Sequence, residues 1–300
     1  MDEGNRRPGV SQMVSVFLYA AVVLIWGSTW LAVKYQIGPV SPEVSVAYRM
    51  GSAALMLFFL GFIRQLPFKC GLHVHFMMML QGALLFSLNF FLFYLAAESL
   101  ITGLIAVIFS TASALTIVLN CLLARRLPSI QLALGAMLGI LGVGFIFSGE
   151  IFASKTTVGA GLLYSIGGTL CFSLGTIVSA KIRNPGQSTL VNIAWAMSYG
   201  TGLLCILALV RGNVFNFDFS KAYIISLAYL SVFGSVIAFT AYFALLKRIR
   251  AEQAAYATVL FPVVALTLST LFENYQWTAT AGFGVVITLL GNFLINWRST

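Results

Sequence analysis

Apolar residues recur in ten runs of about twenty, separated by short polar breaks: residues 14–34, 42–63, 74–96, 101–123, 130–149, 158–181, 190–210, 222–246, 252–272 and 278–297. A helix needs that length to cross the hydrocarbon core of a bilayer. Transmembrane strands would instead show alternating segments of about ten residues, and that pattern is absent. The spacing therefore predicts an all-α membrane protein of ten transmembrane helices. The loops are short, the longest near 211–221, which excludes an active site in a separate aqueous domain. The first run is too long for a signal-peptide core and is read as an uncleaved first helix.

The runs repeat at an offset of about 147 residues. Gly27-Ser28-Thr29 with Lys34 faces Leu174-Gly175-Thr176 with Lys181. Val46-Ala47-Tyr48-Arg49-Met50 faces Ile193-Ala194-Trp195-Ala196-Met197, Gly135 faces Gly282, and Gly144 faces Gly291. Two five-helix repeats follow, over 14–149 and 158–297. Because each has an odd number of spans, the second enters the membrane upside down. Inverted repeats are the architecture of secondary transporters, whose site lies between the halves.

Composition agrees: 60% of the residues are hydrophobic and 8% charged, against roughly a quarter charged in soluble domains. The net charge of +9 is a topology signal rather than a nucleic-acid surface. Twelve Lys and Arg (Arg6, Arg7, Arg64, Lys69, Arg125, Arg126, Lys181, Arg183, Lys247, Arg248, Arg250, Arg298) fall on the side of the N-terminus, and five (Lys34, Arg49, Lys155, Arg211, Lys221) on the other. The positive-inside rule then puts both termini in the cytoplasm. Glu43, Glu98, Glu150, Asp218 and Glu273 fall on the outer side. Cys70, Cys121, Cys171 and Cys205 are isolated, without CxxC spacing. His73 and His75 read as a solvated helix end rather than a metal site, and neither metal nor cofactor is expected.

The string Trp26-Gly27-Ser28-Thr29-Trp30 with Lys34, then Pro42 and Arg49 opening the second span, resembles the EamA-type branch of the drug/metabolite transporter superfamily. So does Leu260-Phe261-Pro262-Val263 followed by Glu273 and Gly282. The resemblance covers nearly the whole chain. It implies ten helices in two inverted bundles around a central, mostly apolar cavity. It also implies export of small metabolites across the bacterial cytoplasmic (inner) membrane, with the amino-acid exporters of that branch as the nearest well-described model. Two departures stand out. The fourth span reads Phe109-Ser110-Thr111-Ala112 where relatives often have a Pro, so it is expected to be straighter than the ninth. The first repeat ends in Arg125-Arg126 where many relatives have a Glu-Arg pair.

No Asp or Glu lies near the middle of a span, and an ionisable group there is the usual mark of a proton relay or ion site. Small multidrug exporters of the superfamily depend on a first-helix carboxylate, whereas this helix offers Trp26, Ser28, Thr29 and Trp30. A neutral or zwitterionic solute fits that better than a cation. The predicted cavity is lined by Trp26, Ser28, Thr29, Trp30, Asn89, Phe90, Tyr94, Ser110, Thr176, Trp195, Tyr242 and Tyr256, a few polar groups among apolar walls. Against this, Ser and Thr in membrane helices usually bond their own backbone. Asn89 is the more telling, since an amide in hydrocarbon needs a partner. Pro262 frees a carbonyl in the ninth helix and is a candidate hinge. Arg49 either snorkels outward or pairs with Glu98 or Glu43 in an outer latch with Lys34, and Lys181 would serve the opposite gate. The expected partners are a small solute and the bilayer, with no nucleic acid. The Gly135/Gly139 pair is read as helix packing within a monomer, or a weak dimer. A multidrug or aromatic-compound exporter is the alternative function, and an enzyme is not expected.

Overall fold

The computed structural model describes residues 8–127, 129–148, 156–182, 188–246, 248 and 257–296. Tyr256, the junction 149–155 and the basic residues Arg6, Arg7, Lys155, Arg183, Lys247, Arg250 and Arg298 lie outside them. Every regular element among the described residues is helical. We number them α1 (Pro8–Lys34), α2 (Pro42–Ile63), α3 (Leu72–Gln81 running through Gly82–Leu88 into Asn89–Ala97), α4 (Thr102–Ser110 and Ala112–Leu123), α5 (Ile130–Ile146), α6 (Thr156–Lys181), α7 (Thr189–Val210), α8 (Lys221–Tyr229, Leu230–Ile237 and Ala238–Leu246), α9 (Ala257–Phe272) and α10 (Ala279–Asn296). Seven are long and apolar enough to cross a membrane; the apolar segments Ile130–Ile146, Leu260–Phe272 and Ala279–Ile295 are shorter. Leu55, Phe62, Ile140, Leu163, Leu209 and Phe283 are exposed on the helix exteriors. Apolar surface of that extent is not tolerated in water and belongs against lipid.

Local sequence sets the helix ends. Pro42 opens α2 in the first turn, where its missing N–H matters least. The Ser129, Ser188 and Ser220 hydroxyls accept from the first free amides of α5, α7 and α8. Helices α2, α4, α7 and α9 each end in a left-handed residue: Gln65 (φ 52°), Arg125 (φ 51°), Gly212 (φ 71°) and Asn274 (φ 54°). In each case the next amide reaches back to close the helix: Leu66 to Gly61 O, Arg126 to Cys121 O, Asn213 to Ala208 O and Tyr275 to Ser269 O.

These boundaries repeat, with one correction to the offset. Helices α2 and α7 are both 22 residues long and start 147 apart, at 42 and 189. From α3 onward the offset is 149: α3 and α8 start at 72 and 221, and α5 and α10 at 130 and 279. The two added residues lie in the loop 211–220, which is longer than its counterpart 64–71. Both α3 and α8 widen into a π-helical stretch at corresponding places, Gly82–Leu88 and Leu230–Ile237. The left-handed caps likewise pair as Gln65 with Gly212 and Arg125 with Asn274.

The halves interlock rather than pack as blocks. Helix α1 packs on α9 and α8, while α6 packs on α4 and α3; α2 packs on α7, α5 on α10 and α4 on α9. Each contact is either its own counterpart under exchange of the halves or has one. Between α5 and α10 the corrected offset is visible in the glycines. A Cβ on Gly142 would lie 2.6 Å from Gly284 O, and one on Gly291 would lie 2.6 Å from Gly135 O. Gly135 thus corresponds to Gly284 and Gly142 to Gly291. Gly144 faces open space and Gly282 meets only the edge of Trp277, so pairing Gly135 with Gly282 and Gly144 with Gly291 was displaced by two residues. The close approach is between helices of one chain, as small residues in membrane helices permit.

The fourth span departs from expectation. Helix α4 is interrupted at Thr111, although it has no proline, whereas α9 continues through Pro262. The cause is side-chain competition for backbone groups. Ser110 and Thr111 hydroxyls donate to Val107 O and Ile108 O, both at 2.6 Å. From α6, Ser173 Oγ donates to Ala112 O at 3.1 Å. Hydroxyls that bond nearby carbonyls loosen the helical ladder.

Candidate functional site

Arg49 lies in the second turn of α2, and its side chain does not snorkel: the residue is 3% exposed. Its guanidinium lies over the Phe90 ring at 4.4 Å, a cation–π contact that offsets part of the loss of water. The Tyr94 hydroxyl, one turn further along α3, faces the same group. Among the described residues neither Nε nor Nη1 of Arg49, nor the Tyr94 hydroxyl, makes a hydrogen bond of ordinary geometry, although hydroxyl and guanidinium are near enough to interact. Gly234, in the π-helical stretch of α8, closes the other side; a Cβ there would lie 3.5 Å from Nη2. Ser231 Oγ holds α8 to α2 by donating to Arg49 O at 3.3 Å, and is itself joined to Ser52 Oγ at 2.8 Å.

The expected pairing of Arg49 with Glu43 or Glu98 is not formed. Glu43 is fully buried and is bonded instead to Arg211 Nε at 3.1 Å and to Asn213 Nδ2 at 2.5 Å. It opens α2, and Arg211 closes the adjacent α7, so these partners are geometrically closer to it than a residue two turns away. The two-residue expansion builds this end: Tyr48 donates to Asn216 O at 3.0 Å and Asn216 Nδ2 to Pro39 O at 2.9 Å. Beneath lies a buried polar network. Ser45 donates to Gln36 Oε1 at 2.8 Å, Gln36 Nε2 donates to Ser226 Oγ at 2.6 Å, and Tyr223 donates to Ser45 Oγ at 3.0 Å. Glu98 stands at the surface just past α3 with its carboxyl only partly screened from water; that partial desolvation and the nearby Glu43 charge raise its pKa, with Arg211 opposing.

Two aromatic groups line the contacts of α1. Trp30 meets Phe93 at 5.2 Å and Phe109 at 5.6 Å, and Phe109 meets Phe172 at 4.6 Å and Phe261 at 5.7 Å. Trp26 meets Tyr242 at 5.1 Å and Phe239 at 5.6 Å. Ser28 donates to Leu24 O at 2.6 Å and joins the Tyr229 hydroxyl at 2.6 Å. Thr29 and Thr176 bond their own helices, at Trp26 O and Phe172 O. Ser110 accepts from Asn292 Nδ2 at 2.7 Å, across to α10. Asn89 is buried with its Oδ1 unpartnered.

Other predicted positions lie apart. Trp195 lines an open aromatic groove of about 450 Å³ with Phe58, Phe59, Phe62 and Phe68. There it donates to Phe68 O at 3.3 Å and meets His75, whose Nδ1 joins the Tyr199 hydroxyl at 2.9 Å. Lys34 and Lys181 are exposed final residues of α1 and α6. Pro262 is buried beside Phe261. Glu273 binds Thr102, accepting from its backbone N at 3.2 Å and its hydroxyl at 2.6 Å, and also accepts from Ser269; it thereby caps α4. Tyr256 falls outside the described residues. Among the described residues no cluster of three His, Cys, Asp or Glu could hold a metal. Sequence reasoning passed over Gln36, Asn292 and Arg211. Asn292 carried the signal used for Asn89, an amide set in an apolar run, whereas Gln36 lies in the loop after the first run, and Arg211 repeats Arg64 at the offset of 147.

The sequence profile of the EamA-like transporter family matches this chain twice, over residues 13–148 and 159–297. The chain belongs to that family. It is 23% identical over 284 residues to the uncharacterized transporter YoaV of Bacillus subtilis, covering 94% of this chain and 97% of the relative. It is also 23% identical over 284 residues to the uncharacterized inner membrane transporter YedA of Escherichia coli, covering 91% and 90%. A solved crystal structure superposes with a TM-score of 0.63 at 13% identity, over 93% of this chain and 95% of that one, which speaks to the fold alone. This EamA-like protein is therefore a multi-pass membrane transporter, and its relatives are transporters rather than enzymes.

Proposed function

We propose that this transporter exports small neutral or zwitterionic metabolites, amino acids foremost, by rocking one five-helix repeat against the other. On this reading ten helices cross a cytoplasmic membrane, both termini are cytoplasmic, and the second repeat is inverted. The observation that favours it is the interlocked packing, in which nearly every contact between halves has a counterpart under their exchange. Such an assembly has two related arrangements of similar energy, one open to each side. The Glu43 end is tied by an ion pair, while at the opposite end of α2 and α7 the counterparts of Glu43 and Arg211 are Leu190 and Arg64. A two-state gate needs such a difference to set which side rests closed.

A multidrug or aromatic-compound exporter is the second reading, favoured by the aromatic groups around Trp26 and Trp30. A cationic drug would want a free buried carboxylate, and Glu43 is already engaged by Arg211. The test is flux in proteoliposomes of an amino-acid panel and an aromatic-cation panel, with and without a pH gradient. Saturable amino-acid flux supports the proposal. Flux of aromatic cations alone selects the second reading.

A further inference from the structure

Resting on the transport reading above, we infer that Arg49 is the specificity-determining residue of the site and recognises the carboxylate of the transported solute. A guanidinium in a membrane span is costly unless paired or placed at a water-filled path. This one is 3% exposed, yet among the described residues Nε and Nη1 have no hydrogen-bond partner. Its supports are all neutral: the Phe90 ring beneath it, the Tyr94 hydroxyl beside it and Gly234 opposite. Among the described residues the nearby acids are engaged or remote, Glu43 with Arg211 and Glu273 with Thr102, and Glu98 is exposed past the end of α3.

The repeat supplies an internal control. The counterpart of Arg49 at the 147 offset is Ala196. Both perform the same backbone packing. The Arg49 carbonyl receives Ser231 of α8, and the Ala196 carbonyl lies 2.2 Å from where a Cβ on Gly82 of α3 would stand. The fold is therefore satisfied at this place by a methyl group, and the charge answers to something other than packing. Planar, paired N–H donors match a carboxylate in a way that a lysine ammonium does not. The π-helical stretch of α8 that carries Ser231 and Gly234 borders the site, so occupation of the site and the shape of α8 are mechanically joined.

The test compares wild type, Arg49→Lys, Arg49→Gln and Arg49→Leu in nanodiscs and proteoliposomes. The probes are amino acids, their amides, the corresponding amines and simple monocarboxylates, read by titration calorimetry and by flux. Wild type is expected to favour carboxylates over the matched amides by at least ~10-fold in binding and flux. Arg49→Gln should lose that preference, and Arg49→Lys should retain charge but little of it. Arg49→Leu should melt no lower than wild type, since an uncompensated buried charge is removed. Equal handling of acid and amide by wild type overturns the inference and leaves the transport reading standing. Flux of amines or cations alone overturns the inference together with the amino-acid reading and selects the aromatic-cation alternative. Unfolding of both Arg49→Leu and Arg49→Lys would make the guanidinium structural and also overturn it. Neither binding nor flux of any probe by wild type would overturn the inference and the amino-acid reading together.

Discussion

Single side chains divide here into those that hold the bundle and those left without partners. Asn292 belongs to the first group: its amide crosses from α10 to Ser110 in the interrupted part of α4. Asn292→Ala is expected to lower stability by about 1 kcal/mol in a denaturant titration, the usual worth of such a bond in a membrane protein. Ser110→Ala added to it should cost less than the sum of the two single changes, because the bond they share is lost only once. Glu98 makes a pH prediction. Its pKa in the folded protein is raised, first by burial and then by Glu43, against a smaller opposing pull from Arg211. The folded state therefore binds this proton more tightly than the unfolded state. The stability contributed is full below the usual glutamate range and fades as pH rises through the raised pKa. Melting curves should show a modest loss of Tm across that window relative to Glu98→Gln, which lacks the step. Identical pH profiles for the two proteins would refute the assignment.

At the scale of elements, α5 and α10 are held together by absence of side chains. Carbonyl oxygens occupy the space a Cβ would need at Gly142, Gly284 and Gly291. Gly142→Val and Gly284→Val should each force the helices apart, lowering stability by about 1–3 kcal/mol or more. Gly144→Ala and Gly282→Ala should be near neutral, since those positions have room. The reverse pattern would restore the offset of 147 in this part of the chain. The ends of α2 and α7 make a second prediction. Arg211→Gln strands the fully buried Glu43 carboxylate. Because Arg211 is itself half-exposed, the loss should be about 1–2 kcal/mol, between exposed and fully buried pairs. The double variant with Glu43→Gln should recover most of it. If the pair is also the tie that keeps its end closed, thiol labelling of Ser52→Cys should quicken in Arg211→Gln and in the double variant alike, since neither has the ion pair.

Over the whole molecule, stability and transport draw on the same interlocked packing. The most extensive helix packing crosses between the halves: α1 leans on α8 and α9, and α6 on α3 and α4. A rearrangement must then move corresponding contacts together, opening one set as its counterpart closes. The π-helical stretches of α3 and α8 lie at these shared contacts. Gly82 and Gly200 bring the backbones of α3 and α7 together, and Gly234 brings α8 against Thr29 of α1. Wide turns of this kind often mark sites where a helix bends in function.

The chain by itself determined the helical class, the membrane setting and the two-fold repetition, because each depends on composition and period rather than on contacts. Runs of about twenty apolar residues have one stable form in lipid, and a duplicated pattern remains visible as an offset. It also marked Asn89, Trp30 and Arg49 as groups in need of explanation. What it could not give was which groups meet. The shift from 147 to 149 arises in the loop 211–220, where little apolar pattern exists to register it, and the helix starts, the left-handed caps and the glycine contacts of α5 and α10 reveal it. Glu43 took Arg211 rather than Arg49 because α2 and α7 bring those ends together, residues 168 positions apart in sequence. The break in α4 came from the Ser110, Thr111 and Ser173 hydroxyls rather than from proline. Pairing is a property of three-dimensional proximity, and for a buried charge such as Arg49 the decisive fact is the partner that the fold does not provide.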